Sequence, residues 1–289
     1  MVVGQVNNTL VGFIVQARME SRRLPNKVLM PIPYKTGKPL LQWITDELKK
    51  SQFNHKIIVA TSRNQGSDAI KIFCDERNII CFRGEENDVL SRFIAISKFG
   101  KFNLIVRLTG DNPIIDVDIL DTIIKNHLEH QNDYTYTTGL PVGMNLEVIN
   151  PESILGLESK ELTLEEKEHV TLHIRNNDGY KKSNVIYHNN SYSGLRLSVD
   201  YPSDFVLLST ILSQVNEQNP VGLNLIVKMF HANPWLFDVN NSNFQIKHYI
   251  KEEEELKAAI ILLEKYNLKR VAQKIKLVFG NKTHYFNTG

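Results

Sequence analysis

The sequence predicts an α/β protein: a mostly parallel sheet with helices on both faces, followed by C-terminal helices. Short apolar runs alternate with helical stripes from Phe13 to Thr137, the pattern of repeated strand, helix, strand units. Polar motifs follow the ends of several of those runs, where parallel sheets bind their ligands. The chain has 289 residues and 42% hydrophobic content, enough for one large core and an appendage.

Phe13, Ile14 and Val15 read as a buried strand, and Gln16 and Ala17 mark where the chain leaves the sheet. Leu40, Leu41, Ile44 and Leu48 predict a helix within Gly37 to Ser51, and Lys56 to Ala60 is the next strand. Helix 67–77 would bury Ile70, Phe73 and Cys74 ahead of a strand at Ile79 to Phe82. Helix 87–99 shows Leu90, Phe93 and Ile94, and Leu104 to Leu108 is strand four. The stripe Ile119, Leu120, Ile123, Ile124 and Leu128 predicts helix 116–129, with a strand at Tyr134 to Thr137 behind it.

From Pro141 the pattern loosens. Strands are expected at Leu146 to Ile149, Val185 to His188 and Leu195 to Val199. A helix opens near Thr163, where Thr163 and Glu166 make a capping box. Helices 204–216 and 222–230 complete a domain over residues 10–240. Residues 241–289 form a helical extension: the run Lys251 to Glu255, then Leu256, Ala259, Ile260 and Leu263 in one helix, and a basic amphipathic helix at 268–278. Such a pair suits a solvated or docking face.

The formal charge is +2, so the protein has no strong electrostatic claim on nucleic acid and any basic function is local. Cys74 and Cys81 lack zinc-site spacing and read as buried free thiols. The opening MVVGQVNNTL has no leader-like organisation, and no run approaches membrane-spanning length. The expectation is a soluble, cytoplasmic protein without a membrane partner.

Local basicity does occur directly after the first strand, where Arg18, Arg22, Arg23 and Lys27 fall within ten residues. Like charges repel, so a folded loop that gathers them needs an anion or nearby carboxylates. A triphosphate suits; a solvated basic turn is the alternative. Leu24 and Pro25 fix the middle of the loop, Asn26 tolerates a left-handed backbone and Pro31 ends the segment. Neither a Walker sequence nor GxGxxG occurs, which leaves this loop to hold phosphates while magnesium neutralises the remaining charge.

Two carboxylates are candidates for that Mg2+. Asp111, in Arg107-Leu108-Thr109-Gly110-Asp111-Asn112-Pro113, either ligates the metal or serves the turn. Asp200 follows the run ending at Val199 and has the same two readings, while Asp204 reads as a helix cap. Two carboxylates and phosphate oxygens suffice for octahedral magnesium. Asp116-Val117-Asp118 has the form of a metal-binding DxD, but capping of helix 116–129 is the simpler account. His169 and His173 are four apart without the Glu that a HExxH helix needs.

Taken in order, these motifs resemble the SpsF-like cytidylyltransferase family, with a more distant similarity to enzymes that activate Kdo and sialic acid. The matching blocks are Ala17-Arg18-Met19, Ser21, Arg23-Leu24-Pro25, Lys27-Val28-Leu29, Phe82-Arg83-Gly84, Asp88-Val89-Leu90, Thr109-Gly110-Asp111, the segment Gly143 to Val148, Glu168-His169-Val170-Thr171 and Val199-Asp200. Glu20, Asn26, Asn112 and Asn145 depart from the family's usual residues.

The resemblance implies a Rossmann-like fold of the nucleotide-diphospho-sugar transferase type. The implied reaction moves a nucleoside monophosphate, CMP from CTP, to an anionic sugar or sugar-phosphate acceptor in surface polysaccharide synthesis, with release of pyrophosphate. It also implies roles: Arg18, Arg23 and Lys27 on the triphosphate, with Ala17 and Ser21 beside them, and Asp111 and Asp200 on the metal. Thr61, Arg83 and Thr109 would contact the nucleotide, with surface pairing the alternative for Arg83; Arg107, Glu147, Glu168 and His169 would face the acceptor. A homodimer is expected. The alternatives are a metal-dependent glycosyltransferase using Asp116 and Asp118, and a nucleotide-binding protein without turnover.

Overall fold

Each apolar run expected before residue 140 becomes a strand of one sheet. The computed structural model describes residues 9–187, 192–243 and 252–280. It begins with β1 (Leu10–Gln16), a short antiparallel pair β2 (Pro31–Ile32) and β3 (Lys38–Pro39), α1 (Leu40–Leu48), β4 (Asn54–Ser62) and α2 (Asp68–Glu76). Next come β5 (Ile80–Gly84), α3 (Val89–Gly100), β6 (Leu104–Thr109), α4 (Val117–His130) and β7 (Tyr134–Thr138). The remainder of this unit is β8 (Glu147–Ile149), α5 (Pro151–Leu155), α6 (Leu164–Glu168), α7 (Leu172–Asn176), β9 (Lys182–Ile186), α8 (Pro202–Leu212) and α9 (Leu223–Ala232).

The sheet order is β5-β4-β1-β6-β8-β7-β9. β1 lies parallel to both β4 and β6, and β5 and β9 run parallel to β4 and β7. Only β8 opposes its neighbours, so the carboxyl ends of the other six strands share one edge. β1 is apolar from Leu10 to Val15 because both its faces are covered. Val11, Phe13 and Val15 join Leu41, Ile44, Ile123 and Leu208 on one side, while Ile14 joins Phe93, Ile96 and Ile105 on the other. Gly12 leaves room for the Phe102 ring, which a Cβ there would approach to 2.8 Å.

The looser half departs from expectation in three places. Leu195 to Val199 is extended and buried but is not a sheet strand; it makes an isolated bridge from Arg196 to Val142. The loop residues Val142 and Asp111 take its backbone bonds, through Leu197 N to Val142 O at 2.7 Å and Val199 N to Asp111 O at 2.8 Å. The helix opening at Thr163 has its capping box but is split into α6 and α7, because Val170 between them adopts a φ of 42°. A β-branched residue there cannot continue a helix. The last strand begins earlier than expected, at Lys182, and His188 lies outside the described residues.

The chain divides into two compact units, Met1–Ser242 and Asn243–Gly289. The second carries α10 (Glu252–Lys265) and α11 (Lys269–Gly280), turned at Asn267 with a φ of 60° and tied by Lys276 to Glu264 at 2.8 Å. Lys251, where the expected charged run begins, is outside the described residues. Among the described residues no helix is long and apolar enough to cross a membrane.

Candidate active site

The chain leaves β1 through Ala17, whose N–H reaches Ala60 O at 3.0 Å, and folds a loop closed by Asn26 N to Met19 O at 3.0 Å. Asn26 adopts the left-handed conformation, φ 60°, and a short 3-10 turn, Lys27–Leu29, follows it. With Val28 buried beside it, this turn sends Lys27 inward, leaving that residue only 6% exposed.

A cation so buried needs acceptors for every proton. Lys27 Nζ donates to Asp111 Oδ2 at 2.8 Å, Asp200 Oδ1 at 2.9 Å and Val199 O at 2.7 Å. The residues that meet here are 84 and 173 positions apart from Lys27. Asp111 arrives on the turn after β6, where Gly110 N bonds Gln16 O at 2.8 Å and Asn112 N bonds Thr109 O at 3.2 Å. Asp200 arrives on the Leu195 to Val199 segment, whose backbone bond to Asp111 aligns the two carboxylates.

Arg23 reinforces the junction. Its guanidinium lies 3.1 Å from Asp200 Oδ1, donates to Tyr201 Oη at 3.2 Å and sits 4.7 Å from the Tyr201 ring centroid. Behind Asp200 is a buried group that sequence reasoning did not reach. Arg196 Nη2 meets Asp200 Oδ2 at 2.5 Å and Arg196 Nε meets Asp204 Oδ1 at 3.1 Å. Asp204, fully buried, also accepts the N–H groups of Asp200 and Tyr201 and the Asn240 amide. Its capping role at α8 is real, and it also anchors Arg196.

Burial opposes ionisation of Asp200, but the charge and hydrogen bond of Lys27, with Arg23 and Arg196, outweigh it and hold this carboxyl below its usual range. Three cations, Lys27, Arg23 and Arg196, therefore face three carboxylates, Asp111, Asp200 and Asp204. The signal in the sequence was Arg196 itself, a cation inside an apolar alternating run that must find an acid when buried.

Around this junction, Arg18 pairs with Glu168 at 3.2 Å and remains half-exposed, Arg22 points outward, and Ser21 turns its N–H to Met19 O. His169 follows Glu168 at the exposed end of α6. Glu20 lies over the loop after β4: a Cβ on Gly66 would come within 2.1 Å of its Oε1. Arg107 donates to Gln16 Oε1 at 3.1 Å and to Glu147 Oε2 at 2.6 Å. Glu147 also accepts from Thr171 Oγ1 at 3.0 Å and from the Tyr134 hydroxyl. Burial works against its ionisation, yet Arg107, with the Tyr134 hydroxyl and the Arg175 charge, keeps its pKa below the ordinary carboxylate value.

Thr61 Oγ1, at the end of β4, is buried and has no hydrogen-bond partner among the described residues. Thr109 ends β6 beside Gln16. Arg83 is turned to the backbone instead, holding Ser62 O, Arg63 O and Asn64 O at 2.8 to 3.1 Å, with Asp68 at 2.7 Å. A second buried guanidinium escaped the sequence reading: Arg92, 4% exposed, reaches Ala60 O and Glu86 O at 3.4 Å and no other acceptor among the described residues. Burial lowers its pKa, with Glu168 working against that. Its sequence signal was a cation between Leu90 and Phe93 on an apolar stripe.

A family model for cytidylyltransferases matches residues 12–264. The chain belongs to the cytidylyltransferase family. It is 32% identical over 230 residues to the spore coat polysaccharide biosynthesis protein SpsF of Bacillus subtilis, covering 77% of this chain and 94% of that protein. A cytidylyltransferase structure from Leptospira borgpetersenii superposes with a TM-score of 0.74 at 27% identity, covering 83% of this chain and all of that one. A 3-deoxy-manno-octulosonate cytidylyltransferase of Polynucleobacter necessarius is 29% identical over 146 residues, 49% of this chain and 54% of that enzyme. The protein is thus a nucleotidyltransferase with the expected mostly parallel α/β fold.

Within this cytidylyltransferase, the other metal-like motifs have structural duties. Asp116 caps α4 through Ile119 N at 3.1 Å and holds Leu223 N at 2.9 Å, so both its oxygens are engaged. His173 pairs with Glu166 at 2.9 Å. Among the described residues no group of three or more His, Cys, Asp or Glu is placed to hold a metal by itself. Asp111 and Asp200 offer hard oxygens around one cation position, and Asp111 Oδ1 has no partner among the described residues. That donor set fits a small divalent cation whose remaining positions are filled by phosphate and water.

Proposed function

We propose that this protein transfers CMP from CTP to an anionic sugar or sugar-phosphate acceptor in surface polysaccharide synthesis, releasing pyrophosphate, with Mg2+ at Asp111 and Asp200. The observation that carries the reading is the Lys27 ammonium bonded to both carboxylates at 2.8 and 2.9 Å, which gathers the basic loop and the two acids at the carboxyl edge of the sheet. The identity with the SpsF protein and the Kdo enzyme supports the choice of CTP and of a sugar acid or sugar phosphate.

The bound metal would neutralise phosphate charge and polarise the reacting phosphorus. The protein's own groups position and stabilise. Arg18 is half-exposed and, among the described residues, tied to Glu168 alone, so it can turn to phosphate, and Arg23 and Lys27 face the same space. Their charge offsets the negative charge that builds on departing pyrophosphate, while the acceptor oxygen attacks the α-phosphorus in line. Thr61, whose buried hydroxyl has no partner among the described residues, and Thr109 take the nucleotide side, together with Ala17 and Ser21. Arg83 acts there through the loop it braces.

Arg107, Glu147, Glu168 and His169 line the acceptor side, where Glu147 fixes Arg107 for an acceptor anion. On this reading residues 10–240 carry the reaction and 241–289 form an extension. The test is a pyrophosphate-release screen crossing four nucleoside triphosphates with phosphorylated and acidic sugars. Release with CTP and one acceptor class supports the reading; release of nucleoside diphosphate from a nucleotide sugar would replace it with glycosyl transfer.

A further inference from the structure

We propose that Lys27 keeps the nucleotide-free site closed to free divalent cations, so that metal is taken up only together with nucleotide; this rests on the nucleotidyltransferase reading above. All three ammonium protons of Lys27 are spent, on Asp111, Asp200 and Val199 O. The nitrogen stands where a cation bridging the two acids would stand, 2.8 and 2.9 Å from their oxygens. Its stem is fixed by the turn behind left-handed Asn26 and by buried Val28, so it does not swing aside freely.

Charge makes the same point. Asp200 is spent on three cations, with Lys27 and Arg23 at Oδ1 and Arg196 at Oδ2. The six charged groups of the junction sum to zero, so a free dication finds no net attraction and must displace an ammonium from partly buried carboxylates. A triphosphate reverses that balance by bringing roughly four negative charges. To reach a phosphate oxygen, Lys27 has to release a carboxylate, and the released oxygen is then available to a metal. Nucleotide and cation are coupled through this single exchange, and each raises the affinity of the other.

The test uses nucleotide-free protein and Mn2+ alone, a hard-oxygen probe, with free Mn2+ counted by electron paramagnetic resonance. Wild type should show no saturable binding below about 1 mM. Lys27→Met should open one site per chain at least about tenfold tighter, because one positive charge is gone and two acids remain. Lys27→Arg keeps the charge and should stay closed. Saturable Mn2+ binding by wild type without nucleotide overturns the proposal, whether or not Lys27→Met folds. Equal binding by wild type and a Lys27→Met protein of unchanged circular dichroism also overturns it. Failure to release pyrophosphate from any triphosphate would sink the functional reading alone, since this readout involves no turnover.

Discussion

Asp204→Ala separates support from chemistry. The side chain has no exposed surface, yet five donor contacts converge on it: Arg196 Nε at 3.1 and 3.3 Å, the N–H groups of Asp200 and Tyr201 at 2.9 Å, and the Asn240 amide at 2.8 Å. Its removal strands two backbone donors and one side of a buried guanidinium, while the Asn240 amide keeps its bond to Arg196 O at 2.9 Å. Orphaned donors cost about 1–3 kcal/mol each, and breaking a buried ion pair from one side costs about 3–5 kcal/mol, so the loss should fall in the latter range. For a unit of this size each kcal/mol lowers Tm by roughly 2–4 °C, which gives a fall of about 6–20 °C. Thermal unfolding followed by circular dichroism, with urea titration at one temperature, measures it. A melting point within about 2 °C of wild type would show that Arg196 and its neighbours hold Asp200 without Asp204, and the account of this junction would be wrong.

Asp111→Asn should lower pyrophosphate release by about 100-fold or more with a modest loss of nucleotide binding, measured by turnover and by calorimetry with CTP; normal release removes Asp111 from the mechanism. His127 is 4% exposed, bonded to Thr135, and burial pushes its pKa from 6.5 down to about 4. The unfolded chain therefore takes up a proton that the folded chain refuses as pH falls from 6.5 toward 4. Up to about 3 kcal/mol of stability should be lost across that window, and His127→Gln should flatten the slope in urea titrations at stepped pH. A chain ending at Ser242 should fold and release pyrophosphate at the full-length rate, since the Leptospira structure is matched over its whole length by 83% of this chain; an inactive but folded truncation would assign the second unit a part in catalysis.

The alternation of β1, β4, β5, β6 and β7 with α1 to α4 was legible because each element buries a regular apolar set, whereas the short pair β2 and β3 gave no such signal. Ile119, Ile123 and Leu120 could only belong to a helix against a sheet. The candidate site was legible as motifs: Arg23, Lys27, Asp111 and Asp200 meet in one junction, and Arg18 pairs with Glu168. What local pattern could not show is pairing. Leu195 to Val199 has strand periodicity, but its partners are the loops at Val142 and Asp111, which no window of sequence reveals. Val170 at φ 42° breaks a helix that Glu166, His169 and His173 spell out by spacing. Arg196 and Asp204 were hidden for another reason: a buried pair reads, residue by residue, like a surface charge and a cap.

β8 runs against the sheet, so the hairpin between Thr138 and Glu147 turns back at the ligand-facing rim, on the far side of β6 from the Arg18 to Lys27 cradle. Lengthening or shortening that reversal leaves β1, β4 and β5 untouched. Asp200 is another matter: Val142 within the reversal pairs with Leu195 and Leu197, so a change of length between residues 139 and 146 should shift that carboxylate together with the rim.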